Sequence, residues 1–392
     1  MFAEGINLAS GIEVGFGGVY VGAAPYLLFY PDANGDDKPD GEPEILLDGW
    51  AWQDTHETLN AFTWGPDGWL YGCHGVFTHS NVGKPGCRDE ERQPINAGVW
   101  RFHPVKKVFE VFAEGSSNPW GVDFDEHGDW FITACVIPHL YPLSQGGRYF
   151  RQAGQHFNPF IFDDIKTIAD HLHYGDGTFA SMNDRGGVDR GLSARLASDT
   201  SAVGGGHAHC GLTIYQADAF PPQYQGNLFF SNLHGHRIIR ERVEHEGSGF
   251  IGRHAPDFAL SNDHEFIGVG VMQGPDGALY VSDWHDAQTC HHRDVEIWNR
   301  SNGRLFRIRH GEVVSTVTDL PDKTDAELVA TLAHRNAFHA RQAQRLLQER
   351  MWTGTADADG VAAALSEFEK EHPDSVPLRL RALWTRHVCG LI

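Results

Sequence analysis

Cysteine is scarce in this chain and widely scattered. The 392 residues contain six cysteines: Cys73, Cys87, Cys135, Cys210, Cys290 and Cys389. No two of them form a CxxC or CxxCH pattern, so the sequence excludes a zinc ribbon and a covalently attached haem. Cys73 and Cys87 flank a glycine-rich loop, which leaves a disulfide between them as one alternative.

The chain also has few basic residues and no long apolar run. The chain has 31 lysines and arginines against 52 aspartates and glutamates, which gives a formal net charge of -21. This charge argues against nucleic-acid binding and favours cations or neutral polar ligands. No stretch is apolar enough to span a bilayer, and Met1 does not open a signal-peptide pattern, so we expect any export signal to lie outside these residues.

Short repeated phrases are abundant. "GPDG" occurs at 65–68 and 274–277, each time between apolar segments, and "FAEG" occurs at 2–5 and 112–115. Many short strands separated by glycine-rich turns are typical of a β-propeller. We therefore predict an all-β domain over residues 1–316, a six-bladed propeller with five clear blades. The sixth blade is expected between about Gly146 and Gly206, a segment that also contains a surface excursion, "FDDIKTIADHLHYGDG".

The pattern changes after about Val317. Thr324 and Glu327 form a capping-box pattern, and Leu328 and Leu332 then fall on one helical face. Later segments continue at helical spacing, with Pro377 at a first turn. Residues 317–392 are therefore predicted to form helical hairpins of a solenoid. Because such repeats normally stack in threes or more, we expect these residues to be only the first units of a truncated array.

Polar residues precede several predicted inner strands, where they would ring one mouth of the propeller channel. They are His56, Glu57, Ser117, Asn118, His207, His209, His264 and Glu265. His56 and Glu57 are the candidates for proton abstraction; the alternative is that one caps a turn and the other is solvated. His207 and His209 would share one face of a strand, which suits a metal or an anionic ligand, or simply close packing around a narrow channel.

The segment "DANGDDKPD" offers hard oxygen ligands at alternate positions. Asp32, Asn34, Asp36 and Asp40 occupy the first, third, fifth and ninth positions of a calcium loop. Asp37 stands where an EF-hand needs glycine, so no helix-loop-helix hand is predicted. A calcium site and an acidic hairpin tip remain equal alternatives.

Several longer motifs resemble a known family. "NAFTWGPDGWLYGCHGVFTHSNVGKPG", "SNPWGVDF", "FITACVIPHLY", "GGRYFRQAGQHFNP" and "DWHDAQTCHHRD" resemble the membrane-bound dehydrogenases among the glucose/sorbosone dehydrogenase-like β-propellers. Longer relatives carry HEAT repeats and a c-type haem domain that binds through CxxCH. The resemblance covers about Phe2 to Gly311, and the helical tail resembles the start of the HEAT segment.

The resemblance implies pyrroloquinoline quinone (PQQ) and calcium at the channel mouth. It gives the base position to Glu57, with His56 beside it, a quinone contact to Asn118, and calcium positions near Ile137, Pro138 and Tyr149. A quinone-facing lysine corresponds to His234. The sequence departs from the family pattern at two positions. Ser117 replaces a quinone-binding arginine, and "EFIGVG" contains no arginine where the family has arginines before the last GPDG strand. Both matter because fixed cations, above all arginine, bind the carboxylates of the quinone.

Three functions follow as hypotheses. The first is a PQQ-dependent sugar or polyol dehydrogenase of the cell envelope or periplasm, which passes electrons to a haem domain outside this chain. The second is a non-catalytic propeller that binds glycans or proteins, with the helical segment as a further protein contact. The third is a metal-dependent carbohydrate lyase or hydrolase in which histidine ligands replace the quinone.

Overall fold

The computed structural model describes residues 1–136, 138–151, 153–160, 162–173, 179–181, 208–287, 299, 301–312 and 319–392. Within these ranges, the side chains of His56 and of residues 179–181 are not described. In this part of the chain the fold is mainly β, with four helices at the C-terminal end.

The first blade is a four-stranded antiparallel sheet, and the second has four antiparallel strands in a five-stranded sheet whose fifth, parallel strand comes from later in the chain. The first consists of β1 (Ala9–Val14), β2 (Gly18–Ala23), β3 (Tyr26–Pro31) and β4 (Glu44–Leu47). The second is built from β5 (Asn60–Trp64) and β6 (Leu70–His74), then, after the separate hairpin of β7 (Ser80–Val82) and β8 (Gln93–Ile95), β9 (Gly98–His103) and β10 (Val108–Gly115).

Three more blades follow in chain order. The third contains β11 (Pro119–Phe124), β12 (Trp130–Ala134) and β13 (Leu140–Leu143), after which β14 (Arg148–Tyr149) pairs with β10 and β15 (His171–His173) pairs with β16 (Phe179–Ser181). The fourth contains β17 (His209–Ile214), β18 (Leu228–Asn232), β19 (Arg237–Glu246), β20 (Gly249–His254) and the short β21 (Ala259–Leu260). The fifth contains β22 (Gly268–Gln273), β23 (Leu279–Asp283) and β24 (Arg304–Ile308).

The five blades that the repeats predict are confirmed. Their first strands, β1, β5, β11, β17 and β22, pack in that order, each against the next. In the described part of Gly146 to Gly206, β14 extends the second blade and β15 pairs antiparallel with β16. A sixth blade therefore stays a prediction.

The two "GPDG" phrases are the hairpin turns between the first and second strands of their blades. Gly68 donates its N–H to the carbonyl of Gly65 at 3.0 Å, and Gly277 donates to Gly274 at 3.0 Å. Gly68 and Gly277 have φ of 78° and 72°, a left-handed conformation that glycine adopts without the clash of a Cβ atom. The repetition in the sequence is thus a repetition of one turn.

The helices are α1 (Asp325–Thr331), α2 (Ala337–Thr353), α3 (Ala358–Glu371) and α4 (Val376–Val388). The predicted capping box is confirmed, because the Thr324 side chain accepts from the Glu327 N–H and the Glu327 carboxylate accepts from the Thr324 N–H. Leu328 and Leu332 are buried in a core formed by the helices themselves. A HEAT-like nature of this segment stays a prediction. No helix in the described ranges is both long and apolar enough to cross a membrane.

Helix α2 packs on the turns of three blades. Gln348 donates to the Gly68 carbonyl at 3.2 Å, and the preceding N-cap residue Asn336 donates to the Gly274 carbonyl at 3.0 Å. Arg341 binds the buried Asp123 carboxylate at 2.8 Å, and its guanidinium lies 3.9 Å from the centroid of the Phe124 ring. The helices therefore lie at the face of the propeller that carries both GPDG turns.

Candidate metal centre

Four buried side chains bring potential metal ligands together between the third and fourth blades. They are His139, His171, His173 and Glu241, and one ligand atom from each lies within 4.8 Å of all the others. None of the four residues is more than 1% exposed. His139 precedes β13, the two neighbouring histidines lie on β15, and Glu241 lies on β19.

The local fold explains why these residues meet. His171 and His173 are two apart on a strand, so both side chains project to one side of β15. The segment before β15 is held between the blades, because Ile168 donates to the Leu140 carbonyl at 3.0 Å and Gly252 donates to the Ile168 carbonyl at 2.8 Å. A Cβ atom at Gly252 would lie 2.7 Å from the Leu140 side chain, so glycine permits this close approach.

Three imidazole nitrogens converge on a single carboxylate oxygen. Glu241 Oε1 lies 2.6 Å from Nε2 of His139, 2.8 Å from Nε2 of His171 and 3.4 Å from Nε2 of His173. The other carboxylate oxygen, Oε2, is buried without a hydrogen-bond partner among the described residues, and so is Nδ1 of His139.

The close contacts in the cluster shift the pKa values of its members. Burial opposes the charged forms, but His139 and His171 hold the pKa of Glu241 well below its usual range. Burial likewise opposes protonation of His171, yet the carboxylates of Glu241 and Asp170 raise its pKa. Burial, reinforced by neighbouring histidines, lowers the pKa of His173 well below its usual range. A neutral imidazole is the form that binds a metal.

A second layer of residues holds the histidines in place. Asp170 Oδ1 lies 2.8 Å from His171 Nδ1, and Arg253 binds the other oxygen of Asp170 at 2.8 Å. His173 Nδ1 lies 3.0 Å from Nε2 of His209, whose Nδ1 lies 3.3 Å from the Cys135 carbonyl oxygen. In metal sites the second nitrogen of a histidine ligand is commonly held by a carboxylate, a carbonyl or another polar group in this way.

The donor set fits a transition metal. Imidazole nitrogen suits zinc, iron, copper and nickel, whereas calcium takes six to eight oxygen ligands. Three imidazoles with one carboxylate therefore match a divalent transition-metal ion, which would satisfy the orphaned Oε2 of Glu241.

One protein family matches most of the chain. The family described as "Domain of unknown function (DUF7133)" covers residues 1–312. The chain belongs to this family. No curated protein sequence matches the chain at a significant level.

Solved structures are similar to this family member at low identity. A glucose dehydrogenase-type oxidoreductase from Thermus thermophilus is 12% identical with a TM-score of 0.38, over 78% of this chain and 97% of its own. A luciferin-regenerating enzyme is 13% identical with a TM-score of 0.42, over 78% and 79%. The PQQ-bound aldose sugar dehydrogenase of Streptomyces coelicolor is 14% identical with a TM-score of 0.42, over 78% and 83%. All three TM-scores are below 0.5, so these likenesses leave the reaction open.

Three of the sequence-predicted site residues are linked by hydrogen bonds through neighbouring backbone. The Glu57 carbonyl accepts from Gly75 N–H at 2.9 Å, and the next residue, Val76, donates its N–H to Asn118 Oδ1 at 2.7 Å. The Asn118 carbonyl accepts from Cys135 N–H at 2.9 Å, and the carbonyl of Cys135 accepts from His209 N–H at 3.3 Å. Glu57, Asn118 and His209 thus stand at the starts of adjacent first strands.

The predicted quinone contacts that the structure describes offer no fixed cation. The Asn118 side-chain oxygen is already bound by Val76, Ser117 stands at the arginine position, and His234 lies half-buried on the turn after β18. His207 lies outside the described residues, and nothing is described of the His56 side chain. The described residues at these positions do not fit a quinone with carboxylate groups, because such groups are best bound by bidentate hydrogen bonds from arginine.

The predicted calcium ligands are engaged locally. Asp40 accepts from Ala33 N–H at 2.7 Å, Asn34 accepts from Asp36 N–H at 2.9 Å, and Asp32 accepts from the same N–H at 3.1 Å. These contacts match the alternative of an acidic hairpin tip. Of the other calcium positions, the Pro138 carbonyl accepts from the Tyr141 hydroxyl, the Tyr149 hydroxyl accepts from Ser144 N–H, and Ile137 lies outside the described residues.

Sequence reasoning singled out none of the four members of the cluster and mislocated two of them. His171 and His173 belong to the segment expected to be a surface excursion, but the structure buries both, so that expectation is wrong for these two residues. The available signal was the alternating "HLH", the same two-residue histidine spacing that singled out His207 and His209. Glu241 carries no such signal, because "IIRERVEHE" reads as an ordinary outer strand. Cys73 and Cys87 are separate thiols.

Proposed function

We propose that the protein is a metal-dependent enzyme that binds a divalent transition-metal ion through His139, His171, His173 and Glu241. The observation that supports this proposal is the convergence of four buried ligand atoms within 4.8 Å. A buried carboxylate needs a compensating positive charge, which a divalent cation would supply directly. The ion would act as a Lewis acid that polarises a substrate or water oxygen.

The substrate class that we propose is a neutral hydroxylated molecule, such as a carbohydrate or polyol. The formal net charge of -21 repels anionic substrates, whereas a neutral sugar is insensitive to this field. Hydroxyl and ether oxygens are the groups that a Lewis acid activates, so cleavage of a C–O bond by hydrolysis or elimination is the reaction class that we favour. This extends the lyase or hydrolase hypothesis of the sequence.

His209 connects the candidate metal centre with the residues that the sequence predicts at the channel mouth. His209, which faces the candidate ligand His173, starts the first strand of the fourth blade, and its backbone connects through Cys135 to Asn118. Burial lowers the pKa of His209 well below its usual range, so this imidazole is neutral and is suited to holding the ring of His173 rather than to accepting a proton. One described residue predicted at the mouth, His209, therefore adjoins the candidate metal centre.

The test uses the full chain freed of metal and reloaded with Zn²⁺, Mn²⁺ or Fe²⁺, one at a time, and a panel of oligosaccharides and polyols with product detection by mass spectrometry. Turnover should require the ion and should be lost in Glu241→Gln. The matched control is Glu246→Gln, which alters an exposed glutamate on the same strand. Turnover that survives chelation, or that requires PQQ and Ca²⁺ and reduces an electron-accepting dye, would contradict the proposal.

The more specific expectations from the sequence, beyond the propeller fold itself, stay predictions. They are the sixth blade, the HEAT-like tail, calcium at the acidic loop, PQQ, electron transfer to a haem domain, and a place in the cell envelope or periplasm. Glu57 and Asn118, which stand at the starts of adjacent first strands, still support the hypothesis of a PQQ-dependent dehydrogenase. The lack of a fixed cation at the described quinone positions weighs against it. The dye assay with PQQ and Ca²⁺ tests it directly.

A further inference from the structure

Two buried thiols face each other across the boundary between the third and fourth blades. The Sγ atoms of Cys135 and Cys210 lie 3.8 Å apart, although the residues are 75 positions apart in sequence. Cys135 follows β12 at the end of its strand, and Cys210 is the second residue of β17. Cys135 is 7% exposed and Cys210 is fully buried.

The backbone on both sides of this pair is held in place. Cys135 donates its N–H to the Asn118 carbonyl at 2.9 Å, and its own carbonyl accepts from the His209 N–H at 3.3 Å. Cys210 pairs with Ser231 in the ladder between β17 and β18. The two sulfur atoms are brought together by the packing of the blades and not by a flexible loop.

The surroundings of the pair are apolar. Cys135, Cys210 and Ala208 form a small buried cluster, against which Trp120, Val136 and Leu233 pack. A disulfide has an S–S distance of about 2.0 Å, so it needs the sulfur atoms to approach by rotation about the Cα–Cβ bonds. A disulfide in this apolar contact would bury no unsatisfied polar group.

We propose that Cys135 and Cys210 form a disulfide that joins the third and fourth blades. The oxidant is a small-molecule disulfide. One thiolate attacks it to give a mixed disulfide and one released thiol, and the second thiolate then displaces the other thiol. Both S–H bonds are lost, the Sγ–Sγ bond forms, and two electrons and two protons leave with the two released thiols. Because the thiols are buried, exchange proceeds from a locally opened state.

The cross-link would act on stability and on the candidate metal centre. It closes a long loop in the unfolded chain, which raises the stability of the folded state. It also fixes His209, which follows Ala208 and precedes Cys210, at the position where its ring faces His173. Such a bond persists in an oxidising compartment, in keeping with the cell-envelope location that the sequence predicts.

The experiment treats the full chain, freed of metal by a chelator, with oxidised glutathione or with a dithiol reductant. After alkylation of the remaining thiols, a non-reducing peptide map should contain a Cys135–Cys210 cross-linked peptide only in the oxidised sample. The thermal midpoint of the oxidised wild type should exceed that of the reduced protein by several degrees. Because no metal is present, the result is independent of the proposed function.

Matched variants separate this pair from the other cysteines. Cys87→Ser removes a partly exposed thiol elsewhere and should keep both the cross-linked peptide and the rise in midpoint. Cys135→Ala and Cys210→Ala should lose both while keeping the midpoint of the reduced wild type to within a few degrees. An oxidised protein without this peptide, or a midpoint that rises equally in Cys210→Ala, would overturn the proposal.

Discussion

Asp170 is the residue through which the metal-centre account can be tested without touching a ligand. Its Oδ1 lies 2.8 Å from Nδ1 of His171, and Arg253 binds its Oδ2 at 2.8 Å. When His171 binds a metal through Nε2, its Nδ1–H donates to this carboxylate, which fixes the ring and makes it a stronger ligand. Asp170→Asn keeps the shape of the side chain and removes the charge.

The expected size of the effect follows from this contact. Replacing a residue that holds a metal-binding histidine typically weakens metal affinity by about 10- to 100-fold. At about 1.4 kcal/mol for each factor of ten, Asp170→Asn should cost about 1.4–2.8 kcal/mol of binding free energy. Because His171 is buried, water screens its contact with the Asp170 charge only weakly, which favours the upper part of this range.

The assay is a competition titration of Zn²⁺ between the full chain and a chromophoric chelator. Glu244→Gln is the matched control, since Glu244 also binds Arg253, at 2.7 Å, but is exposed and leaves Asp170 in place. We expect wild-type affinity in Glu244→Gln and the loss only in Asp170→Asn. Affinities of Asp170→Asn and wild type within twofold of each other, or equal losses in both variants, would refute the reasoning.

Three further predictions concern the frame around the site. Burial lowers the pKa of His74 from 6.5 to about 3. Because the folded state then resists protonation of this ring, the free energy of unfolding should fall by about 2 kcal/mol between pH 6.5 and pH 5. In urea unfolding, His74→Gln should remove this part of the acid sensitivity. Arg341→Ala should cost about 3 kcal/mol, because it leaves the buried Asp123 carboxylate without its counter-ion, and a loss below about 1 kcal/mol in the same assay would contradict this. Asn118→Ala should cost about 1–3 kcal/mol by leaving the Val76 N–H without its acceptor, and unchanged thermal stability would speak against that role.

The repeats in the sequence predicted the fold well because the propeller depends on local patterns. "GPDG" needs only neighbouring residues to form its turn, and the capping box of Thr324 and Glu327 is likewise local. The same local reading predicted six blades with five of them clear, and those five are confirmed. It could not establish whether the segment from Gly146 to Gly206 makes a sixth, because regular strand and turn signals are weak there.

The candidate metal centre was harder to predict because its ligands come from three separate parts of the chain. His139 precedes a strand, His171 and His173 lie in an irregular segment, and Glu241 lies on the third strand of a blade about 70 residues further on. Only the docking of β15 between the third and fourth blades brings them together, and no sequence period records that docking. His209 was singled out from its strand position, yet its contact with His173 could be found only in the structure.

The most direct measurement is the metal content of the full chain. Purified wild-type protein, loaded with a transition-metal ion and dialysed, is analysed by inductively coupled plasma mass spectrometry beside Glu241→Gln and the exposed control Glu246→Gln, with folding checked by circular dichroism. The account predicts about one tightly held ion per chain in wild type and control, and a small fraction of that in Glu241→Gln. A wild-type protein that retains no ion, or a folded Glu241→Gln that retains as much as wild type, would contradict it.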